Sequence, residues 1–124
     1  LVYLDTHIVV WLYAGLEEKF SRSAKSLIND NDLYISPIVC LELQYLHEIQ
    51  RVTDEADTIV TDLSDRIGLM VCERAFKRVV SQAMTLTWTR DPIDRLIVAH
   101  ASVNGNVLIS KDQHILTSYP HARW

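Results

Sequence analysis

With 124 residues the chain suffices for one domain and is too short for two ordinary ones, so a single domain over residues 1–124 is expected. An apolar content of 48% supports a hydrophobic core and sets disordered and fibrous classes aside. A formal charge of −4 argues at first sight against a polyanionic partner, although the placement of the acids changes that balance.

Leu1–Leu4 reads as a short buried strand ending at Asp5. The apolar run Ile8 to Tyr13 predicts a helix over residues 6–15, stopped by Gly15, with Trp11 and Tyr13 assigned to the core. Ser21 or Ser23 caps a helix to about Asn29, which the polar cluster Asn29 to Asp32 ends. Lys19, Arg22 and Lys25 recur at helical spacing and read as a solvated face more readily than as a phosphate-binding stripe. The same holds for Arg74, Lys77 and Arg78.

After a strand Leu33–Ile35, Ser36-Pro37 places a capping hydroxyl before a proline at the first helical position, predicting a helix to about Gln50. Thr53 is expected to cap the next helix, through about Arg66. A strand over residues 68–72 and a helix over 73–84 follow, then a polar loop to Arg90. Asp91-Pro92 repeats the cap-and-proline signature and opens a helix to about Val103, stopped by Asn104-Gly105-Asn106. Val107–Ile109 is a strand, followed by Asp112, a short helical turn and a possible last strand towards Trp124. Strands alternating with helices predict an α/β domain around a parallel sheet. With only three glycines, dinucleotide-binding and P-loop fingerprints are excluded.

Asp5 and Asp112 each follow a strand, where a parallel sheet presents its ligand crevice, although a cap or turn is the ordinary explanation of either alone. Ile38, Glu42, Tyr45 and Ile49 share one helix face, which we read as core-facing; a carboxylate there must be paired, protonated or bound to a cation. A salt bridge to one of the eight arginines is the structural alternative. Asp94 shares a face with Ile97, Val98 and Ala101, and a first-turn acid is also favoured by the helix dipole. Outside Asp5, Glu42, Asp94 and Asp112 the remaining 12 acids equal the 12 Lys and Arg, so the net charge resides in those four. Four such acids brought together demand a cation, and hard oxygen donors favour Mg²⁺ or Mn²⁺, which suits phosphodiester hydrolysis. The five histidines lack zinc-ligand spacing, and His100 is expected to be a hydrogen-bonded core residue.

Four pieces together resemble the PIN-domain nucleases, most closely the VapC-type toxins: Leu4-Asp5-Thr6 with Trp11; Ser36-Pro37 leading to Glu42-Leu43; Asp91 to Ala99; and Leu108 to Asp112. The resemblance implies a three-layer α/β/α sandwich and a metal-dependent endoribonuclease. Asp5 and Asp94 would ligate Mg²⁺ or Mn²⁺ directly, with Glu42 and Asp112 assisting. Thr6 and Ser110 stand where the family has site-lining hydroxyls, and Arg95 is a candidate for substrate contact. It also implies an RNA substrate, a cognate antitoxin and a homodimer. The alternatives are a PIN-fold RNA-processing nuclease outside a toxin system and a non-catalytic binding module. A haloacid-dehalogenase-like phosphatase needs a second aspartate where His7 stands, and a response-regulator receiver needs paired acids where Asp5 is single. No run approaches ~18 apolar residues, so no membrane span is expected. Asp5 interrupts the apolar start and no basic segment precedes it, so no signal peptide is expected. Cys40 and Cys72 form no motif and fit a reducing, cytoplasmic compartment.

Overall fold

The computed structural model covers residues 1–124. Five strands form one sheet: β1 Val2–Leu4, β2 Leu33–Ile35, β3 Met70–Val71, β4 Val107–Ile109 and β5 Ala122–Arg123. Their order is β3-β2-β1-β4-β5, and every pairing is parallel. Seven α-helices flank the sheet: α1 Thr6–Ala14, α2 Arg22–Asp30, α3 Pro37–Glu48, α4 Ala56–Ile67, α5 Phe76–Ala83, α6 Pro92–Ser102 and α7 Gln113–Ser118. The expected α/β/α sandwich is therefore present. No helix is long and apolar enough to cross a membrane.

Parallel strands buried on both faces need unbroken apolar sequence, and Val-Tyr-Leu in β1 is buried throughout. Its neighbours Ile35, Leu108 and Ile109 are equally enclosed. Ile8, Val9, Leu43, Ile59, Leu63 and Ile97 bring the inner faces of five of the helix turns onto the same core. The strand order reverses direction between β1 and β4, and such a switch point opens a crevice at the carboxyl ends of the strands.

The capping signals operate as written. The Ser21 hydroxyl accepts from the Ala24 N–H at 3.0 Å, Ser36 from Ile38 at 3.2 Å and Asp91 from Ile93 at 2.8 Å. Gly15 ends α1 in the left-handed conformation at φ 70°, where a side chain would be strained.

Three expectations change. Helix α4 starts after Glu55 and not after a Thr53 cap, because its first N–H, that of Ala56, donates to the Gln44 side chain at 3.0 Å. Lys19 lies in a separate 3₁₀ turn, Glu17–Lys19, and so does not share a helix with Arg22 and Lys25. The face of α3 that meets the core carries Val39 and Leu43; Tyr45 and Ile49 are 56% and 43% exposed. The stripe through Glu42 therefore borders solvent, and the argument from a core-facing carboxylate does not hold.

Candidate active site

The register of β1 against β4 pairs Leu4 with Ile109, so the residues that follow the two strands come side by side. The Asp5 backbone N–H donates to the Ile109 carbonyl at 3.0 Å. The Ser110 hydroxyl, fully buried, then donates to Asp5 Oδ2 at 2.7 Å, while Oδ1 accepts from the Thr6 N–H at 2.8 Å as the cap of α1. Both oxygens of Asp5 are thus held in place. Burial raises its pKa, the hydrogen bonds from Ser110 and Thr6 oppose that rise, and nearby Asp112 adds to it.

Glu42 reaches the same place from the second turn of α3, where its Oε1 accepts the Thr6 hydroxyl. Thr6 is itself fully buried, so it is a tether behind the carboxylates and not part of an open lining. Asp94 stands in the first turn of α6 and accepts no hydrogen bond from the protein. Its pKa is raised to about 6, first by burial and then by the negative charges of Asp91, Asp5, Asp112 and Glu42. Asp112 caps α7 through the Ile115 N–H at 3.0 Å, leaving its second oxygen free.

Asp5, Glu42, Asp94 and Asp112 line one cleft of about 470 Å³ together with His7, Ile8, Trp11, Lys111 and Gln113. None of the four acids is in an ion pair; the molecule's one salt bridge is Arg66–Asp62, on the surface of α4. The arginine alternative for Glu42 is therefore absent. No three of these carboxylates crowd around a single point tightly enough to enclose an ion by themselves. What the cleft provides is an open, all-oxygen, uncompensated donor set, which fits a cation that keeps part of its water shell.

Arg95 does not join them. Its Nε donates to the Thr89 carbonyl at 2.8 Å, and the side chain borders an apolar depression with Phe76, Val80 and Met84. His100 is buried as expected, with Nδ1 2.8 Å from the Ser36 hydroxyl and 3.0 Å from the Leu96 carbonyl; burial lowers its pKa. Trp11, assigned to the core, is half-buried and shares the cleft wall. Trp11, His7 and Lys111 were missed as neighbours of the acids. Each lies within a few residues of Asp5 or Asp112, and that proximity was the available signal.

The sequence matches the PIN domain family model over residues 2–119, which is most of the chain. The chain belongs to the PIN domain family. This PIN domain is 25% identical over 124 residues to Ribonuclease VapC22 of Mycobacterium tuberculosis, covering 98% of this chain and 94% of that protein. Its fold is similar to the Rickettsia felis VapBC2 structure bound to a promoter DNA fragment, with a TM-score of 0.67, 19% identity and coverage of 100% and 99% of the two chains. It is likewise similar to a toxin–antitoxin complex from Klebsiella pneumoniae, with a TM-score of 0.70, 16% identity and coverage of 100% and 97%. The expected family is thus matched by sequence, through the family model and a relative named VapC22, and the expected fold by the solved structures.

Proposed function

We propose that this PIN domain is a single-domain, metal-dependent endoribonuclease and the toxin of a toxin–antitoxin pair. The observation that carries the reading is the convergence of four carboxylates, none of them in an ion pair, at the switch point of a parallel sheet. Asp94, whose oxygens receive no protein hydrogen bond, and Asp5, whose oxygens are fixed, are the direct ligands of Mg²⁺ or Mn²⁺ in this reading. Glu42 and Asp112 act through their free oxygens, directly or by way of water. Held by these acids, such an ion would polarise a phosphodiester oxygen and lower the pKa of water, both of which promote hydrolysis. The protein's own contribution is orientation: Ser110 and Thr6 hold Asp5 and Glu42 so that neither must reorganise as charge develops.

The relatives' descriptions support the wider reading, since one is a ribonuclease and others are toxin–antitoxin structures. A cognate antitoxin, a homodimer and a cytoplasmic setting complete it. The free thiols Cys40 and Cys72 suit a reducing compartment. An apolar face suits self-association: Leu41 and Tyr45 on α3, Phe76 at the start of α5 and Met84 just after its end are more than half exposed, and α6 joins them through Ile93 and Pro92.

The deciding experiment is cleavage of a defined RNA panel with Mg²⁺, Mn²⁺ or EDTA. Wild type should cleave only with metal, and Asp5→Asn and Asp94→Asn should each lose at least about a hundredfold, in line with loss of an electrostatic group in a site. Undiminished cleavage by either folded variant would overturn the reading.

A further inference from the structure

The acid cleft poses an electrostatic problem for any polyanion, because four carboxylates face it and Lys111 is the one lysine or arginine in its wall. Lys111 does not neutralise them. Its ammonium lies 5.5 Å from the centre of the Trp124 ring and 6.0 Å from that of Trp11, in cation–π range. Lys19, from the 3₁₀ turn, lies 5.3 Å from the Trp11 ring. Neither lysine is within ion-pair distance of a carboxylate, so two free cations converge on one pair of aromatic rings.

Those rings belong to a cluster of three. Trp11 meets Phe20 at 87° and Trp124 at 67°, with centroids 6.1 Å and 5.9 Å apart. Edge-to-face contacts of this kind cover part of one ring's face, Phe20 lies at 31° to Trp124 with centroids 5.8 Å apart, and the two ammonium groups lie over further face positions of Trp11 and Trp124. Trp11 also belongs to the cleft wall, so the cluster is continuous with the acids. Residues from four separate parts of the chain build it: α1, the Glu17–Lys19 turn with Phe20 after it, the loop after β4 and the residue that follows β5. A purely structural aromatic cluster has no need of two unpaired lysines.

We infer that the Trp11–Phe20–Trp124 cluster, with Lys19 and Lys111, is a strand-binding subsite that holds single-stranded RNA beside the acid cleft. A base stacks on the ring face that an ammonium group covers in the free protein, and that ammonium moves onto an adjoining phosphate. The sequence-neutral chemistry of stacking and phosphate contact is what the residues supply, as on other single-strand platforms. The subsite rests on the ribonuclease reading for its position along the strand, but its binding chemistry is testable apart from cleavage.

The test is binding of fluorescein-labelled oligouridylate and oligoadenylate to the full chain in EDTA, repeated over a range of salt concentrations. A duplex RNA of the same length serves as the comparison. For single strands, Lys19→Gln and Lys111→Gln should each reduce the slope of log affinity against log salt by about 0.7, one phosphate contact apiece. Trp124→Ala should weaken single-strand binding about tenfold and leave duplex binding unchanged, since paired bases offer no free face. If Trp124→Ala unfolds the protein, quenching of tryptophan emission by the single strand, absent with the duplex, reports stacking in the wild type. Unchanged affinity and salt slope in both lysine variants would overturn the proposal, and would leave the aromatic face to a protein partner. If binding behaves as stated but wild type cleaves no RNA with Mg²⁺ or Mn²⁺, the subsite stands and the nuclease reading falls.

Discussion

Single carboxylates in this cleft differ in what holds them, and the differences can be measured. Asp94 titrates at about 6 because burial and four neighbouring acids disfavour its charge. An unfolded aspartate titrates near 4, so between about pH 4 and pH 6 the folded state binds the extra proton. The contribution of Asp94 to stability is therefore most favourable below about pH 4 and is lost as pH rises through that window. Asp94→Asn should consequently raise stability at pH 8 by about 1 kcal/mol, a figure reduced for solvent screening, with the gain vanishing below about pH 4. Urea denaturation at the two pH values checks this, and a constant difference would refute the charge origin. Saturating Mg²⁺ should raise the Tm of wild type more at pH 8 than at pH 5 if a cation relieves the same repulsion. Asp112 offers a cleaner separation of roles, because it caps α7 as well as facing the cleft. Asp112→Ala should lose about 1 kcal/mol from the cap, whereas Asp112→Ser keeps a capping oxygen and removes the charge. Normal RNA cleavage by a stable Asp112→Ser protein would reduce this acid to a cap. Asp5, Asp94 and Asp112 were legible from their positions, whereas Glu42 was picked out by a core-facing placement that α3 does not give it; the tethers to Ser110 and Thr6 were not legible, since they depend on contacts across 105 and 36 residues.

Elements were legible where a local chemical signal marks them. Ser21, Ser36, Asp91 and Gly15 mark helix ends by oxygens or by a left-handed backbone, and each does so here. The start of α4 was misplaced because its first N–H is satisfied by Gln44, a residue of the preceding helix that no local reading could supply. The buried face of α3 was misjudged for a related reason. Its apolar residues fall on two faces, and only the position of the sheet decides which one turns inward. Ser36 ties two elements together: it caps α3, which carries Glu42, and bonds His100 on α6, which carries Asp94. Ser36→Ala should cost about 1–2 kcal/mol, combining the lost cap with the lost bond to the buried imidazole, which keeps the Leu96 carbonyl as its partner. A lowered denaturation midpoint with unchanged m would show it, and an unaltered midpoint would mean that water replaces the hydroxyl.

At the scale of the whole molecule, the parallel sheet followed from alternating elements, but its strand order did not, because order is set by which crossovers pack and not by any local signal. The exposed face shared by α3, α5 and α6 carries a prediction of the same scale. Wild type should sediment as a dimer at micromolar concentration, and Leu41→Glu should shift it towards monomer while costing the monomer no more than about 0.5 kcal/mol of stability, as for a surface change. A wild type that remains monomeric at all concentrations would remove the dimer from the functional reading. The bond between Ser110 and Asp5 has a further consequence, for the order of events at the ribosome. Chains emerge from the amino terminus at about 5–20 residues per second, so Asp5 is exposed seconds before Ser110 is made. Until β4 arrives beside β1, the first carboxylate has neither its hydroxyl partner nor the backbone pairing that aims it. A nascent chain that has not yet reached Ser110 thus carries its first carboxylate unaimed, and the four acids come together only after Asp112 has been made.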